Sequence, residues 1–171
     1  MEEFLKRSQD SFEISLLVPD YGVRKGKNVT YIAVSKIWKV SGYSNLKLSL
    51  KNFRKIKNAV KEADIVFAQG PAMISYLSIY YAHRYGKKTL FYTHTISWEL
   101  FEKFFPQMLK KPFYSLIKKM SIALYNRCNE ILVPYHELKE YLKTEGVETE
   151  ITVARLGVDI DTFSPAADRR L

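Results

Sequence analysis

Short apolar segments alternate with amphipathic segments along most of the chain, and this alternation predicts an α/β fold. Strands are predicted where β-branched, aromatic and aliphatic residues follow one another for roughly four to eight positions. These segments are 12–18, 29–34, 64–68, 88–93, 130–134 and 150–154. Helices are predicted where apolar residues recur at helical spacing between polar ones. These segments are 2–8, 48–63, 71–85, 97–105, 112–128 and 136–144. Residues 35–47 fit neither period.

Short apolar strands that alternate with helices of this size indicate a mainly parallel sheet covered on both faces. We therefore expect a Rossmann-like, three-layer α/β domain. The 171 residues, 47% of them hydrophobic, suffice for one domain with its own core. We place this domain at residues 1–154 and treat 155–171 as a linker.

Polar residues follow three of the predicted strands, where parallel α/β sheets bind their ligands. The candidate binding residues are Gln69, Gly70, Thr95, Trp98, Glu99 and Tyr135. His94 directly follows a predicted strand and can exchange a proton near neutral pH, so it is the candidate catalytic residue. Trp98 is expected to form an aromatic wall and Glu99 to bind hydroxyl groups. The alternative is that His94 is a partly buried histidine whose hydrogen bonds are satisfied by neighbouring hydroxyls.

The segment RLGVDIDTFSP, residues 155–165, has the composition of a hinge. Gly157 permits backbone conformations that other residues avoid, Asp159 suits a turn, and Pro165 stops regular structure. The alternative is a surface turn before a frayed terminus.

The sequence contains neither a GxGxxG motif nor a Walker loop, which argues against an unaided dinucleotide-binding dehydrogenase. The strand and glycine-rich turn that usually open a nucleotide-binding domain are expected to be missing. Cys128 is the single cysteine, so an internal disulfide is excluded and a cysteine-based metal cluster is disfavoured.

Three ordered motifs resemble the first domain of family 4 glycosyltransferases, which are retaining enzymes of GT-B fold. The motifs are YTHTISWELFEKF, NEILVPYHELKEYLKTEGV and RLGVDIDTFSP, within roughly residues 64–165. The resemblance implies transfer of a sugar from a nucleotide-sugar donor without a bound metal or cofactor. It implies that this domain holds the acceptor and that His94 contacts the donor sugar. The donor belongs to a second, C-terminal domain, toward which Gly157 and Asp159 would form the hinge.

The chain also departs from this family pattern. We expect the opening strand, its glycine-rich loop and the second domain to be missing, so the resemblance implies a half enzyme that is inactive alone. Tyr135 stands where many relatives carry a serine, so no family role is carried over to it.

Charge adds a second hypothesis, because 27 basic and 18 acidic side chains give a net charge of +9. Aromatic residues and lysines are interleaved in Phe101–Lys119, a composition that suits an anionic membrane surface. A non-catalytic, basic membrane-surface or binding module is therefore the alternative function. The competing interpretation is a core-facing stripe with a solvated lysine face. The stripe would consist of Phe113, Leu116, Ile117, Met120 and Leu124.

The location and the remaining partners follow from what the sequence lacks. No apolar run reaches the roughly 18 residues of a membrane span, and no signal peptide is found. We therefore expect a cytoplasmic protein. Under the second hypothesis we expect it to lie on the inner face of a membrane. A third hypothesis is a nucleic-acid binder that uses the basic helix 48–63. No recognition motif accompanies that helix, so we expect no specific nucleic acid partner.

Overall fold

The computed structural model describes residues 10–22, 28–40, 43–102 and 107–155. In these ranges it contains seven strands and five helices. The strands are β1 (Leu16–Asp20), β2 (Val29–Val40), β3 (Tyr43–Leu46), β4 (Ile65–Gln69), β5 (Lys88–Tyr92), β6 (Glu130–Val133) and β7 (Glu150–Val153). The helices are α1 (Leu50–Glu62), α2 (Met73–Arg84), α3 (Ser97–Glu102), α4 (Gln107–Tyr125) and α5 (His136–Thr144).

The strands form two sheets among the described residues. The first has the order β1-β2-β3, with β1 parallel to β2 and β3 antiparallel to it. The second is fully parallel with the order β4-β5-β6-β7. Each pair of neighbours in the second sheet is adjacent in the chain and joined through helical segments, which is the connection that parallel strands require.

The main core lies between the parallel sheet and α2 to α5. Alternate strand residues point into it, because side chains along a strand alternate between the two faces. The strand residues are Ala68, Phe91, Ile131, Val133 and Ile151. The helical residues that meet them are Ile79, Trp98, Tyr125, Leu138 and Leu142. The other face is less covered at β4, where Ile65 and Phe67 are 46% and 43% exposed.

A second core joins the two sheets. It contains buried residues of β2, β3, α1, β4 and α2: α1 packs against β2 and against α2, and α2 contacts strands of both sheets. These residues are Ile32, Leu46, Ile56, Val60, Val66 and Ala82.

Buried Asn52 fixes the start of α1 against the first sheet. Its side-chain oxygen accepts from the Ala33 N–H at 3.2 Å, and its Nδ2 donates to the carbonyls of Ala33 and Lys47 at 2.8 and 2.7 Å. The hydroxyl of Ser49 caps the helix by accepting from the Asn52 N–H. The buried side-chain amide of Asn52 therefore satisfies backbone groups of Ala33 in β2 and of Lys47, the residue that follows β3.

The α/β class and the parallel sheet predicted from the sequence are confirmed. The described helices that form the main core lie on one face of that sheet, so the second helical layer stays a prediction. Within the ambiguous segment, residues 35–40 extend β2 and residues 43–46 form β3. The helix predicted to begin at Pro112 begins at Gln107 and ends at Tyr125.

The core-facing stripe predicted for the 113–124 segment is only partly correct. Ile117 and Leu124 pack against the main core. Phe113, Leu116 and Met120 are instead 37%, 53% and 58% exposed. The helix is rotated so that Tyr125 and Ser121 are buried, which leaves those three side chains on the outer surface.

We predict that replacing Asn52 by alanine lowers the free energy of unfolding by about 3 kcal/mol, because buried backbone groups lose their partners. Urea unfolding monitored by circular dichroism measures this loss. Asn58→Ala is the matched control, because Asn58 lies on the exposed side of the same helix. Equal stability of the two variants would show that the Asn52 bonds contribute little.

Burial raises the pKa of the Cys128 thiol to about 12. The reference value for an unperturbed thiol is 9.0, so the thiol stabilises the fold fully below pH 9 and loses this contribution as pH rises from 9 toward about 12. We predict that the wild-type protein loses stability relative to Cys128→Ala across that window. Urea unfolding of both proteins as a function of pH tests this, and a constant difference between them would contradict it.

Candidate functional site

The carboxyl ends of the four parallel strands place three polar segments side by side. Backbone bonding continues beyond the strands: the Gly70 N–H donates to the Tyr92 carbonyl at 2.9 Å, and the Thr93 N–H donates to the Leu132 carbonyl at 3.0 Å. The segment after β4 is thereby fixed beside the end of β5, and the segment after β5 beside β6. Gln69, His94 and Tyr135 come to one edge of the sheet, as the sequence predicted for a parallel arrangement.

Gly70 makes the turn between β4 and α2. Its φ is +69°, a left-handed conformation that glycine adopts readily. The Ser75 hydroxyl donates to the Gln69 carbonyl at 2.9 Å, and the Ala72 N–H donates to the Gly70 carbonyl at 2.9 Å. These bonds hold the turn from within, while Gln69 itself is exposed.

His94 is exposed on a short loop that Thr93 stabilises. The buried Thr93 hydroxyl donates to the Thr95 carbonyl at 2.8 Å and accepts a longer bond from the Thr95 N–H at 3.4 Å. The imidazole ring lies 6.3 Å from the ring of Tyr92, measured between centroids. His94 is thus exposed, whereas the alternative was a partly buried histidine whose hydrogen bonds are satisfied by neighbouring hydroxyls.

Trp98 does not form a wall of the site in this structure. Its side chain has 0% exposure, and its indole N–H donates to the Tyr141 hydroxyl at 3.3 Å while the two rings stack 6.2 Å apart. The Tyr141 hydroxyl in turn donates to Glu99 at 3.3 Å. Trp98 and Glu99 therefore tie α3 to α5, and the described contacts connect neither of them to His94.

Two helices begin at the same edge without a side-chain cap. The N-cap residues are Ala72 for α2 and Tyr135 for α5, and neither side chain bonds the first turn. Tyr135 is extended and 46% exposed. Free N–H groups at a helix N-terminus can bind an anion or a sugar oxygen, so this edge is suited to oxygen-rich ligands.

A group of buried hydroxyls supports the edge from inside the main core. The hydroxyls of Ser97 and Tyr125 hydrogen-bond to each other. Burial raises the pKa of Tyr125 well above its ordinary value, and the neighbouring Tyr76 adds to the effect. Burial also raises the pKa of Tyr76, whose hydroxyl lies beside Ser97, Ser121 and Tyr125 without a hydrogen bond of good geometry. These phenols stay protonated at neutral pH and link α2, α3 and α4.

Tyr92 lies at the same edge of the sheet, although the sequence did not mark it as a candidate. It ends β5, is 7% exposed, and its hydroxyl is buried without a hydrogen-bond partner. The alternation of side chains along a strand could have indicated its position: Phe91 faces the main core, so Tyr92 must face the opposite side of the sheet.

Other features of the described residues do not coincide with this edge. A surface cavity of about 490 Å³ is lined by the start of β2 and by Lys55, Asn58, Ala59 and Glu62 of α1, and it includes none of the predicted site residues.

Within the described ranges no three His, Cys, Asp or Glu side chains are grouped to hold a metal ion. No helix in those ranges is sufficiently long and apolar to cross a membrane. The hinge residues Gly157 and Asp159 lie outside the described residues.

Comparison with known proteins identifies a family. The model of Glycosyltransferase Family 4 matches residues 3–162. Among solved structures, a protein described as a UDP-N-acetylglucosamine 2-epimerase from Listeria monocytogenes superposes with a TM-score of 0.49 and 12% sequence identity. The superposition covers 86% of this chain and 38% of the epimerase chain. A search of curated proteins finds no significant match.

Proposed function

The chain belongs to glycosyltransferase family 4, and from this membership we propose that it is the acceptor-binding half of a retaining glycosyltransferase. The complete enzyme moves a sugar from a nucleotide-sugar donor to a lipid, glycan or small-molecule acceptor. One structural observation supports this role most: His94 is exposed at the carboxyl edge of the parallel sheet, beside Gln69–Gly70.

The proposed reaction divides its tasks among these residues. The bond between the anomeric carbon and the donor's phosphate oxygen breaks, and a bond from the anomeric carbon to the acceptor oxygen forms. The acceptor's proton passes to the departing phosphate oxygen, and the nucleoside diphosphate leaves. His94 contacts the donor sugar and stabilises the charge that develops on it. Gln69, Thr95 and Tyr135 hold hydroxyl groups of the acceptor, aided by the free N–H groups that begin α2 and α5. No bound metal is required in this proposal.

The nucleotide and its phosphates are bound by a C-terminal domain that follows the hinge at Gly157 and Asp159. This is why we propose that residues 1–171 alone do not transfer sugar. The exposure of His94 and Tyr135 agrees with a site that a second surface completes.

We predict that His94→Ala lowers kcat at least about 100-fold, because a group that acts on transition-state charge is lost. The assay uses the chain joined to a nucleotide-sugar-binding domain of the same family and measures release of the nucleoside diphosphate. His83→Ala is the matched control, since His83 is exposed in the last turn of α2, at the other end of that helix from the site. Unchanged turnover in His94→Ala would remove His94 from the mechanism, and transfer by the isolated chain would contradict the half-enzyme proposal.

A second candidate function is attachment to an anionic membrane surface. Phe113, Leu116 and Met120 recur at helical spacing on α4 and are exposed, and Lys119 beside them is exposed as well. An exposed apolar face with a neighbouring cation suits an interface where side chains enter the headgroup region and lysine meets anionic lipid. Phe113, Leu116 and Lys119 of this surface belong to the Phe101–Lys119 segment.

We predict that the double substitution of Leu116 and Met120 by glutamate weakens binding to anionic phospholipid vesicles more than about tenfold, because two exposed apolar side chains that would enter the membrane are lost. Vesicle co-sedimentation measures this. The control replaces Leu48 and Leu50 by glutamate, which makes the same charge change at leucines that are 61% and 76% exposed elsewhere. Equal binding of both variants would rule out a specific α4 surface.

A further inference from the structure

The hydroxyl group of Tyr92 is buried and unsatisfied. The residue is 7% exposed, and its hydroxyl oxygen has no hydrogen-bond partner. A phenol hydroxyl both donates and accepts, so both capacities are unused. Because folded proteins pair nearly all buried polar groups, such a group needs an explanation, and an absent ligand or water is the usual one.

The position of Tyr92 indicates which explanation applies. Its neighbour Phe91 points into the main core, where its ring lies 5.0 Å from that of Tyr125. Tyr92 therefore lies on the opposite face of the sheet, which it shares with its register partners Gln69 and Leu132. Its ring neighbours His94 at 6.3 Å, and its carbonyl accepts from Gly70. The unsatisfied hydroxyl thus belongs to the residue that contacts both polar segments of the candidate site.

The other buried hydroxyl without a partner has a different environment. Tyr76 lies among Ser97, Ser121 and Tyr125, so a small rotation gives it a partner within the main core. Tyr92 is absent from both hydrophobic cores and lies beside the exposed His94 and Gln69. A structural partner is therefore at hand for Tyr76, whereas Tyr92 is next to the proposed binding surface.

We propose that Tyr92 is a binding residue whose hydroxyl forms a hydrogen bond with a hydroxyl group of a bound sugar. This inference rests on the proposed function and names a residue of the same site. The phenol hydroxyl matches a sugar hydroxyl, because both groups donate a hydrogen bond and accept hydrogen bonds. It lacks the positive charge that favours a phosphate, so a sugar hydroxyl is a better partner than the phosphates of the nucleotide. Binding gives this hydroxyl the hydrogen-bond partner that no described protein group provides.

The test compares Tyr92→Phe with wild type in the absence and presence of sugar. We expect the urea midpoint of the free protein to stay the same or rise, because the substitution removes an unpaired buried group. Tyr125→Phe is the control and should lower the midpoint, since it deletes the bond to Ser97.

Binding is measured with the full chain labelled with ¹³C at the hydroxyl-bearing ring carbon of tyrosine. The Tyr92 signal is assigned as the one missing from Tyr92→Phe.

The sugar probes are the methyl glycosides of glucose, galactose and N-acetylglucosamine. UDP is added separately to test whether the nucleotide binds at the same place. We expect at least one glycoside to shift the Tyr92 signal and to bind Tyr92→Phe about tenfold more weakly, as for one lost hydrogen bond. Three results would overturn the inference: a midpoint lowered as much as in Tyr125→Phe, a shift caused by UDP alone, or no shift with any glycoside.

The outcomes separate this inference from the proposed function. If a glycoside binds through Tyr92 but His94→Ala leaves turnover of the joined enzyme unchanged, the assignment of His94 fails and Tyr92 remains a sugar-binding residue. If the joined enzyme transfers sugar and Tyr92→Phe leaves both KM and kcat unchanged, the inference about Tyr92 fails alone.

Discussion

Parallel pairing of β4 to β7 is the constraint on which the rest of the structure depends. Parallel neighbours cannot be joined by a tight turn, so each pair needs a crossover through helical segments, and these crossovers share one hand. The same pairing brings all strand carboxyl ends to one edge, so the segments after β4, β5 and β6 become neighbours. The site residues are far apart in the sequence and meet only because of this geometry.

Because side chains alternate along a strand, the two faces of the sheet carry different side chains. In β5, Phe91 contributes to the main core, whereas Tyr92 lies on the face shared with Gln69. The loop that follows repeats the division, since Thr93 is buried and satisfied by Thr95 while His94 is exposed. A shift of β5 by one residue would exchange these roles and place the phenol in the core. The ladder with β4 and β6 thus sets the chemistry of the edge as well as the fold.

The sequence predicted what local periodicity and the rule for parallel sheets determine. Helix 136–144 and the strand that begins at Lys88 agree with the structure to within one residue, because both have strong periods and clear boundaries. The placement of Gln69, His94 and Tyr135 followed from their positions after strands. The burial of Trp98 and the exposure of Leu116 could not be predicted from the sequence. Periodicity shows which residues share one side of a helix, but it does not show which side packs against the sheet. Nor could the sequence reveal an unpaired Tyr92 hydroxyl, since hydrogen-bond satisfaction depends on every neighbour in three dimensions.

The exposure of the edge is itself informative for a transferase. His94, Gln69 and Tyr135 are all exposed, whereas transfer to an acceptor requires that water be kept from the activated sugar. Electrostatic stabilisation by a histidine is also weak while water surrounds it, and strengthens when the site is covered. The free helix N-termini and the unpaired phenol provide hydrogen bonds for a ligand but nothing that excludes solvent. A surface of this kind can hold and orient a sugar, but the catalytic step we propose needs a second surface to close over it. The division that we propose, between an acceptor half and a nucleotide-binding half, then has a physical reason, because contact between two surfaces excludes the water that competes with the acceptor.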